Sequence, residues 1–386
     1  MNPTNPSSPT NLSNPTNPAA EPHKPDLLYS EAEEDLRSAV RALLTDRNDP
    51  ARVVVRAEEG IPYDAGLWKA LAADMGVAGL LVPEELGGQG ASHREAAVVM
   101  EELGRSVAPA PYLTSSVVAT QVLLACDTGK PEVVELLGDL ASGRRTAALV
   151  ARFAAGPDDF RLRPGLDGTL PGVADAATAD VLLVPTTQGL YAVDRAGDGV
   201  AVAPQIPLDL TRPLATVHLD GAAGTLLADA AQGEAAVRRG LVAGAGLLAS
   251  EQLGLAEWCL EETVRHTKER HQFNRPVGSF QALKHRMAQL WLEVVSARAA
   301  ARNAADALAA GSPEAPLAVA VAQAYCGKVA VHAAEECVQL HGGIGMTWEH
   351  PAHLYLKRAK ADSIAFGTSG AHREAVGRLV GLPAPS

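Results

Sequence analysis

Three long stretches of helical apolar periodicity, near residues 234–269, 279–309 and 316–340, constrain this chain more than any other feature. Pro313 and Pro316 punctuate the second break and His341-Gly342-Gly343 the third. Helices of that length bury their apolar stripes against one another, so the C-terminal part reads as a bundle. A second helical block precedes it. Ser30 and Glu33 form a capping box before the stripe Leu36, Val40, Leu43 and Leu44. Further helices run from Asp64 through Met75, from His93 to Leu103 and from Val117 to Cys126, with the Pro- and Gly-rich Gly76–Ser92 stretch as a loop.

Between about Thr146 and Asp220 the pattern changes. TAALVARF, ADVLLVPTT, GLYAVDR and ATVHLDG are short apolar runs separated by Gly, Asp and Pro, which predict strands of a small antiparallel domain. The fold class is therefore α+β. Residues 25–143 form an N-terminal helical domain, 144–229 a shortened middle β domain, and 230–381 a C-terminal helical bundle. Residues 1–24, dominated by Asn, Pro, Ser and Thr, read as a disordered tail with too few apolar groups to offset the entropy of ordering.

Composition narrows the function. With 386 residues, 47% of them apolar, two or three domains with buried cores are expected. Net charge of −12 argues against a nucleic-acid face. Four scattered cysteines with no C-x-x-C pair fit neither a disulfide scaffold nor zinc, and no apolar run reaches the ~18 residues of a membrane span. The N-terminus has no basic stretch followed by an apolar one, so no secretory signal is read, and a cytoplasmic location is expected.

Against this acidic background Arg265–Ala288 concentrates Arg265, His266, Lys268, Arg270, His271, Arg275, Lys284, His285 and Arg286. Arginine matches phosphate bidentately, so a phosphorylated ligand is one reading and a solvated basic helix end the other. Four motifs in order decide between them. LWKALAADMGVAGLLVPEELGGQGAS (Leu67–Ser92), RHQFNRPVGSFQ (Arg270–Gln281), QLHGGIGMT (Gln339–Thr347) and FGTSG (Phe366–Gly370) together resemble the acyl-CoA dehydrogenase family, over about residues 28–380. The resemblance implies a helical domain, a β domain and a C-terminal four-helix bundle, assembled as dimers or tetramers with FAD bound across a subunit interface. It implies that Arg270 contacts the FAD pyrophosphate with Phe273 and Gln281 nearby, and that Gln339, Leu340, His341, Gly342 and Gly343 meet the adenosine end. Thr368 and Gly370 complete the implied contacts, although Gly370 stands where glutamine or glutamate is frequent. Asn274 replaces a usual glycine and tolerates the left-handed region as glycine does.

The implied reaction is α,β-dehydrogenation of an acyl-CoA, in which a carboxylate removes the α-proton while the β-hydride passes to flavin N5. Here the sequence departs from the pattern. The position of the usual glutamate is Phe366, which accepts no proton. The alternative position on the first long C-terminal helix falls on Gly244. Glu251 is a weak substitute: it shares the stripe Leu241, Gly244, Leu248, Leu255 but lies about 10 Å further along the axis, and an inward carboxylate hydrogen-bonded within the bundle is the plainer reading. Asp362, in LKRAKAD, reads as a surface residue. The flavin-holding Thr-Glu-Pro…Gly-Ser-Asp segment is replaced by ARFAAGPDDFRLRPGLDG (Ala151–Gly168). Loss of both base and cradle, with the nucleotide motifs kept, reads as a subunit that completes the FAD site of a catalytic partner. The alternatives are a self-sufficient homo-oligomer with a non-standard base, a flavin-dependent oxidase or monooxygenase of the same fold, and a non-catalytic binding protein.

Overall fold

The computed structural model describes residues 24–383 apart from 61 and 62, so the proposed tail, save Lys24, lies outside the described residues. Six helices come first: α1 (Glu31–Arg47), α2 (Pro50–Glu58), α3 (Ala65–Lys69), α4 (His93–Arg105), α5 (Thr120–Leu124) and α6 (Pro131–Ala141). The Ser30/Glu33 capping box is formed at α1, and Ser92 with Glu95 repeats it at α4. Two of these helices carry π-helical turns, over Ala70–Asp74 after α3 and over Tyr112–Ala119 before α5.

Seven strands follow: β1 (Ala147–Leu149), β2 (Gly168–Ala174), β3 (Val181–Thr186), β4 (Gly189–Asp194), β5 (Val200–Pro204), β6 (Leu214–Leu219) and β7 (Thr225–Asp229). They form one sheet ordered β1-β3-β4-β7 and another ordered β2-β6-β5. Val173, Leu182, Val184, Val193, Val217 and Leu219 build a small core of their own there. One pairing differs from the antiparallel expectation. β1 runs parallel to β3, with Ala147 opposite Val181. Between them the chain lays down β2 in the other sheet, which supplies the crossover that a parallel pair requires.

The remaining elements are α7 (Ala230–Glu269), a two-stranded hairpin of β8 (His271–Gln272) and β9 (Arg275–Pro276), α8 (Gln281–Ala309), α9 (Ala315–His341), α10 (Ala352–Asp362) and α11 (Ser369–Leu379). With its 3-10 extension to Met346, α9 is long and apolar enough to cross a membrane by length and composition, contrary to the expectation of no such stretch. Most of that stretch is buried inside the bundle, which accounts for its hydropathy.

α4 crosses α7 at unusually short range. A Cβ on Gly254 would lie 1.8 Å from the Glu101 carbonyl oxygen, and one on Gly104 would lie 2.1 Å from that of Glu251. The two helical blocks are thus joined backbone to backbone by reciprocal glycines. We expect Gly254→Ala to cost about 3 kcal/mol or more by forcing the helices apart. Gly377→Ala, on α11 with open space around it, should gain about 0.5–1 kcal/mol of helix propensity. Urea unfolding of the two variants measures both.

Candidate active site

The two positions at which a base was sought meet each other. The Phe366 ring carbon Cζ lies 3.0 Å from where a Cβ on Gly244 would stand. Phe366 is 4% exposed, holds a left-handed backbone (φ 53°), and donates its amide to the Phe153 carbonyl at 2.8 Å. Its ring meets the Phe153 ring edge-on at 5.3 Å. What remains between them, Thr114, Val118 and Leu241 is a void of about 20 Å³, room for little more than one water. No carboxylate lines it among the described residues.

Glu251 takes the inward, hydrogen-bonded place that the sequence favoured over the role of a substitute base. Arg212 Nη2 donates to its two carboxylate oxygens at 2.6 and 2.7 Å, and Arg358 Nη1 donates to Oε1 at 2.5 Å. Burial favours the neutral acid, but the charges of Arg212 and Arg358 overrule it and hold the carboxyl below its ordinary value. A carboxylate so neutralised is a poor proton acceptor. Arg358 also donates to the Asp209 carboxylate and, from Nη2, to the Thr211 hydroxyl at 2.6 Å. Asp362 completes the cluster, 3.4 Å from Arg212 Nη1. Far from being a surface residue, Asp362 is 0% exposed; burial and the neighbouring Glu251 charge push its carboxyl well above the ordinary value. The spacing Tyr355, Arg358, Ala359, Asp362, Phe366 places Arg358 and Asp362 on the inward face, a signal that the charged run LKRAKAD hides.

The remaining predicted residues fall into two groups. Thr368 caps α11, its hydroxyl accepting from the Ala371 amide at 3.3 Å, with Gly370 beside it near Phe366. Gly327 on α9 faces Ser363 and Ser369 at this level. Fourteen residues on, about 21 Å of helix, α9 ends at His341. There the His341 ring stacks on His266 of α7 at 4.2 Å, joining the QLHGG turn to the RHQFN hairpin. Arg270, Phe273, Gln281 and Gln339 are exposed at this end, while Leu340 is half-buried and the His341 side chain is fully buried. The His341 side chain thus anchors the turn. Phe273 and Asn274 both adopt φ > 0 (52° and 61°), as a two-residue type I′ hairpin requires. Asn274 does so cheaply, whereas Phe273 is strained by about 1–2 kcal/mol and is 86% exposed.

These residues fit the nucleotide half of FAD. Arg270 has no carboxylate partner among the described residues, and Gly342 and Gly343 have nothing within 4 Å of where a Cβ would be, leaving their backbone open to a ligand. A cavity of about 460 Å³ lies on the β-domain side of Phe153. Phe153, Pro171, Leu208 and Ile364 give it an apolar wall, with Arg152 and Lys360 at its polar edge. Arg212, Arg358, Phe153 and this cavity were not foreseen; only the helical spacing of Arg358 offered a signal.

A helical domain, a small β domain and a helical bundle around a nucleotide-fitting bundle end define a flavin-type oxidoreductase scaffold. Sequence models of the acyl-CoA dehydrogenase N-terminal and C-terminal domains match residues 30–143 and 231–381. The acyl-CoA dehydrogenase IpdE2 of Mycolicibacterium smegmatis is 36% identical over 338 residues, 88% of this chain and 95% of that protein. The ChsE4-ChsE5 complex of Mycobacterium tuberculosis superposes with a TM-score of 0.81 at 27% identity, covering 93% of this chain and 100% of the matched one. The Tcur3481-Tcur3483 steroid acyl-CoA dehydrogenase does so at 0.80 and 29%, covering 91% and 98%. The chain belongs to the acyl-CoA dehydrogenase family, an oxidoreductase family whose cofactor is FAD.

Arg358→Met strands Asp209 without its counter-charge and leaves Glu251 to Arg212 alone, which should cost about 3–5 kcal/mol in denaturant unfolding. The Asp362 carboxyl, raised in the folded state, binds a proton there that the unfolded chain releases above its ordinary value near 3.8. Its contribution is therefore fully present below that value and is lost as pH rises toward the folded one. Asp362→Asn removes this loss, so its stability relative to wild type should increase from pH 5 to pH 8, read as the difference in Tm.

Proposed function

We propose that this chain is the non-base-bearing subunit of a hetero-oligomeric acyl-CoA dehydrogenase, completing from its bundle end the FAD site of a catalytic partner. The observation that carries this reading is the Phe366 ring packed on Gly244, which fills with hydrocarbon both positions a base would occupy. The outward-facing Arg270, Phe273 and Gly342-Gly343 backbone support it, being placed to meet a ligand held by another chain. Two solved neighbours agree in kind: one is a complex of two differently named chains, and the other, a steroid enzyme, carries a paired name. We extend the substrate class accordingly to steroid-like acyl-CoA thioesters, and the compartment to the cytoplasm, where four buried free thiols are stable.

FAD, when bound, accepts the hydride from the substrate β-carbon. In this reading Arg270 supplies fixed charge-assisted hydrogen bonds to the pyrophosphate, and the glycine turn admits the adenosine end without a clash. The Phe153–Phe366 pair excludes water and thioester from this subunit's own acyl site. Proton abstraction falls to the partner.

Flavin content tests this directly. The chain expressed alone should purify without FAD and without turnover. Co-purified with a base-bearing acyl-CoA dehydrogenase subunit, it should retain one FAD per pair. Arg270→Ala in this chain should weaken FAD retention by the complex roughly tenfold to a hundredfold, about 1.5–3 kcal/mol, with the partner's base untouched. A homo-oligomer carrying a full complement of FAD and turning over acyl-CoA would overturn the reading.

A further inference from the structure

At the end of the bundle, where α7, α9 and the turn after α9 converge, Glu262, His341 and His350 point their ligand atoms at one another. All three atoms lie within 4.8 Å. His341 is the decisive residue. Its ring is fully buried, and Nδ1 sits 2.6 Å from the Cys337 carbonyl, so Nδ1 carries the hydrogen and donates it. Nε2 is thereby aimed inward at Glu262, and this buried atom has no hydrogen-bond partner; a cation bound there takes the place of the proton that, against burial, the Cys337 and Glu262 contacts favour on the ring. An orphaned imidazole nitrogen of this kind costs about 1–3 kcal/mol unless something occupies the space in front of it.

That space is shaped for a cation. Glu262 Oε1 stands 3.6 Å from His341 Nε2 and 3.3 Å from His350 Nε2. The first separation is too long for a hydrogen bond. The second is a hydrogen bond that a cation would replace, and both are close to the edge of a tetrahedron around an ion bonded at about 2.0–2.1 Å, roughly 3.3 Å. A proton shared between His341 and Glu262 would draw the pair toward about 2.8 Å instead. The Nδ1–H to carbonyl bond of His341 is also the outer-shell arrangement that fixes the tautomer of metal-bound histidines.

We infer that Glu262, His341 and His350 form a site for a divalent transition-metal ion such as Zn²⁺, with water in the fourth position. Two neighbours adjust to it. Arg265 pairs with Glu262 from the solvent side at 2.5 Å, but it is more than half exposed and already reaches Glu269 at 2.6 Å. His350 Nδ1 accepts the Ala352 amide at 3.2 Å, and coordination through Nε2 gives up that long bond. The ion ties α7 to both ends of the His341–His350 segment, so it fixes the shape of the Gly342-Gly343 turn. The site does not depend on the subunit role proposed above, since its three ligands belong to one chain.

Cobalt titration of the full-length chain tests it, with Co²⁺ as the probe because its visible d–d bands report coordination directly. One Co²⁺ per chain with tetrahedral-type bands, displaced by Zn²⁺, is expected. Glu262→Gln and His350→Asn, each checked by circular dichroism, should weaken binding by more than roughly tenfold, since outer-shell changes alone cost about 10–100-fold. Absence of a saturable one-to-one band in the wild-type chain would overturn the assignment, as would binding unchanged in both variants. The wild-type titration decides even if a variant fails to fold. FAD retention by the complex, measured separately, distinguishes a failure here from a failure of the shared-site reading.

Discussion

The buried cluster of Arg358, Glu251, Arg212, Asp209 and Asp362 holds together the parts on which everything else in this chain depends. Asp209, Thr211 and Arg212 come from the β domain, Glu251 from α7, and Arg358 and Asp362 from α10. Two guanidinium groups face three carboxyls, all of them largely buried. Burial and the Glu251 charge push the Asp362 carboxyl well above its ordinary value, the direction that brings the sum of charges toward neutrality. Seating the β domain on the bundle and pairing these charges are therefore one event. Neither half of the cluster is tolerable without the other.

The same cluster dictates what the nearby pocket can do. The Arg212 guanidinium lies over the Phe153 ring at 5.3 Å, and Phe153 in turn buttresses Phe366. The plug in the acyl site is thus held by the interdomain ion network rather than by loose hydrophobic fill. Gly244 completes it by leaving the ring of Phe366 somewhere to lie. A glutamate at position 244 would meet the Phe366 ring, and one at 366 would face Phe153, Val118 and Leu241. On the proposed reading, the packing around the site as a whole, and not one substituted residue, leaves no place for a base.

Much of this fold was legible from spacing and punctuation. The long bundle helices follow from 3.6-residue periodicity, and the start of α1 from its capping box, because both are local effects. The parallel pairing of β1 with β3 was not legible, since it depends on where a distant strand lies in another sheet. The site divides in the same way. Phe366 and Gly244 were individually readable as missing bases, but their contact joins residues 122 positions apart and belongs to the tertiary structure. Asp362 was misread, and Arg358 passed over, because the charged run LKRAKAD resembles a solvated face. Their positions one helical turn apart, in line with Tyr355 and Phe366, carried the contrary signal.

The asymmetry between the two ends of the bundle gives the shared-site reading its physical content. One end is closed: aromatic rings fill it and ion pairs brace it. The other end keeps Phe273 in a strained left-handed turn with 86% of its surface in water, beside the exposed Met346 and Trp348. Burying a side chain of this size contributes about 1.5–3 kcal/mol, more than the strain costs, but an isolated chain gains none of it. A strained aromatic hairpin beside an open glycine turn becomes favourable only when a ligand or another chain covers it. On the proposed reading, the closed end removes the chain's own chemistry, and the open end is the one through which it contributes to another's.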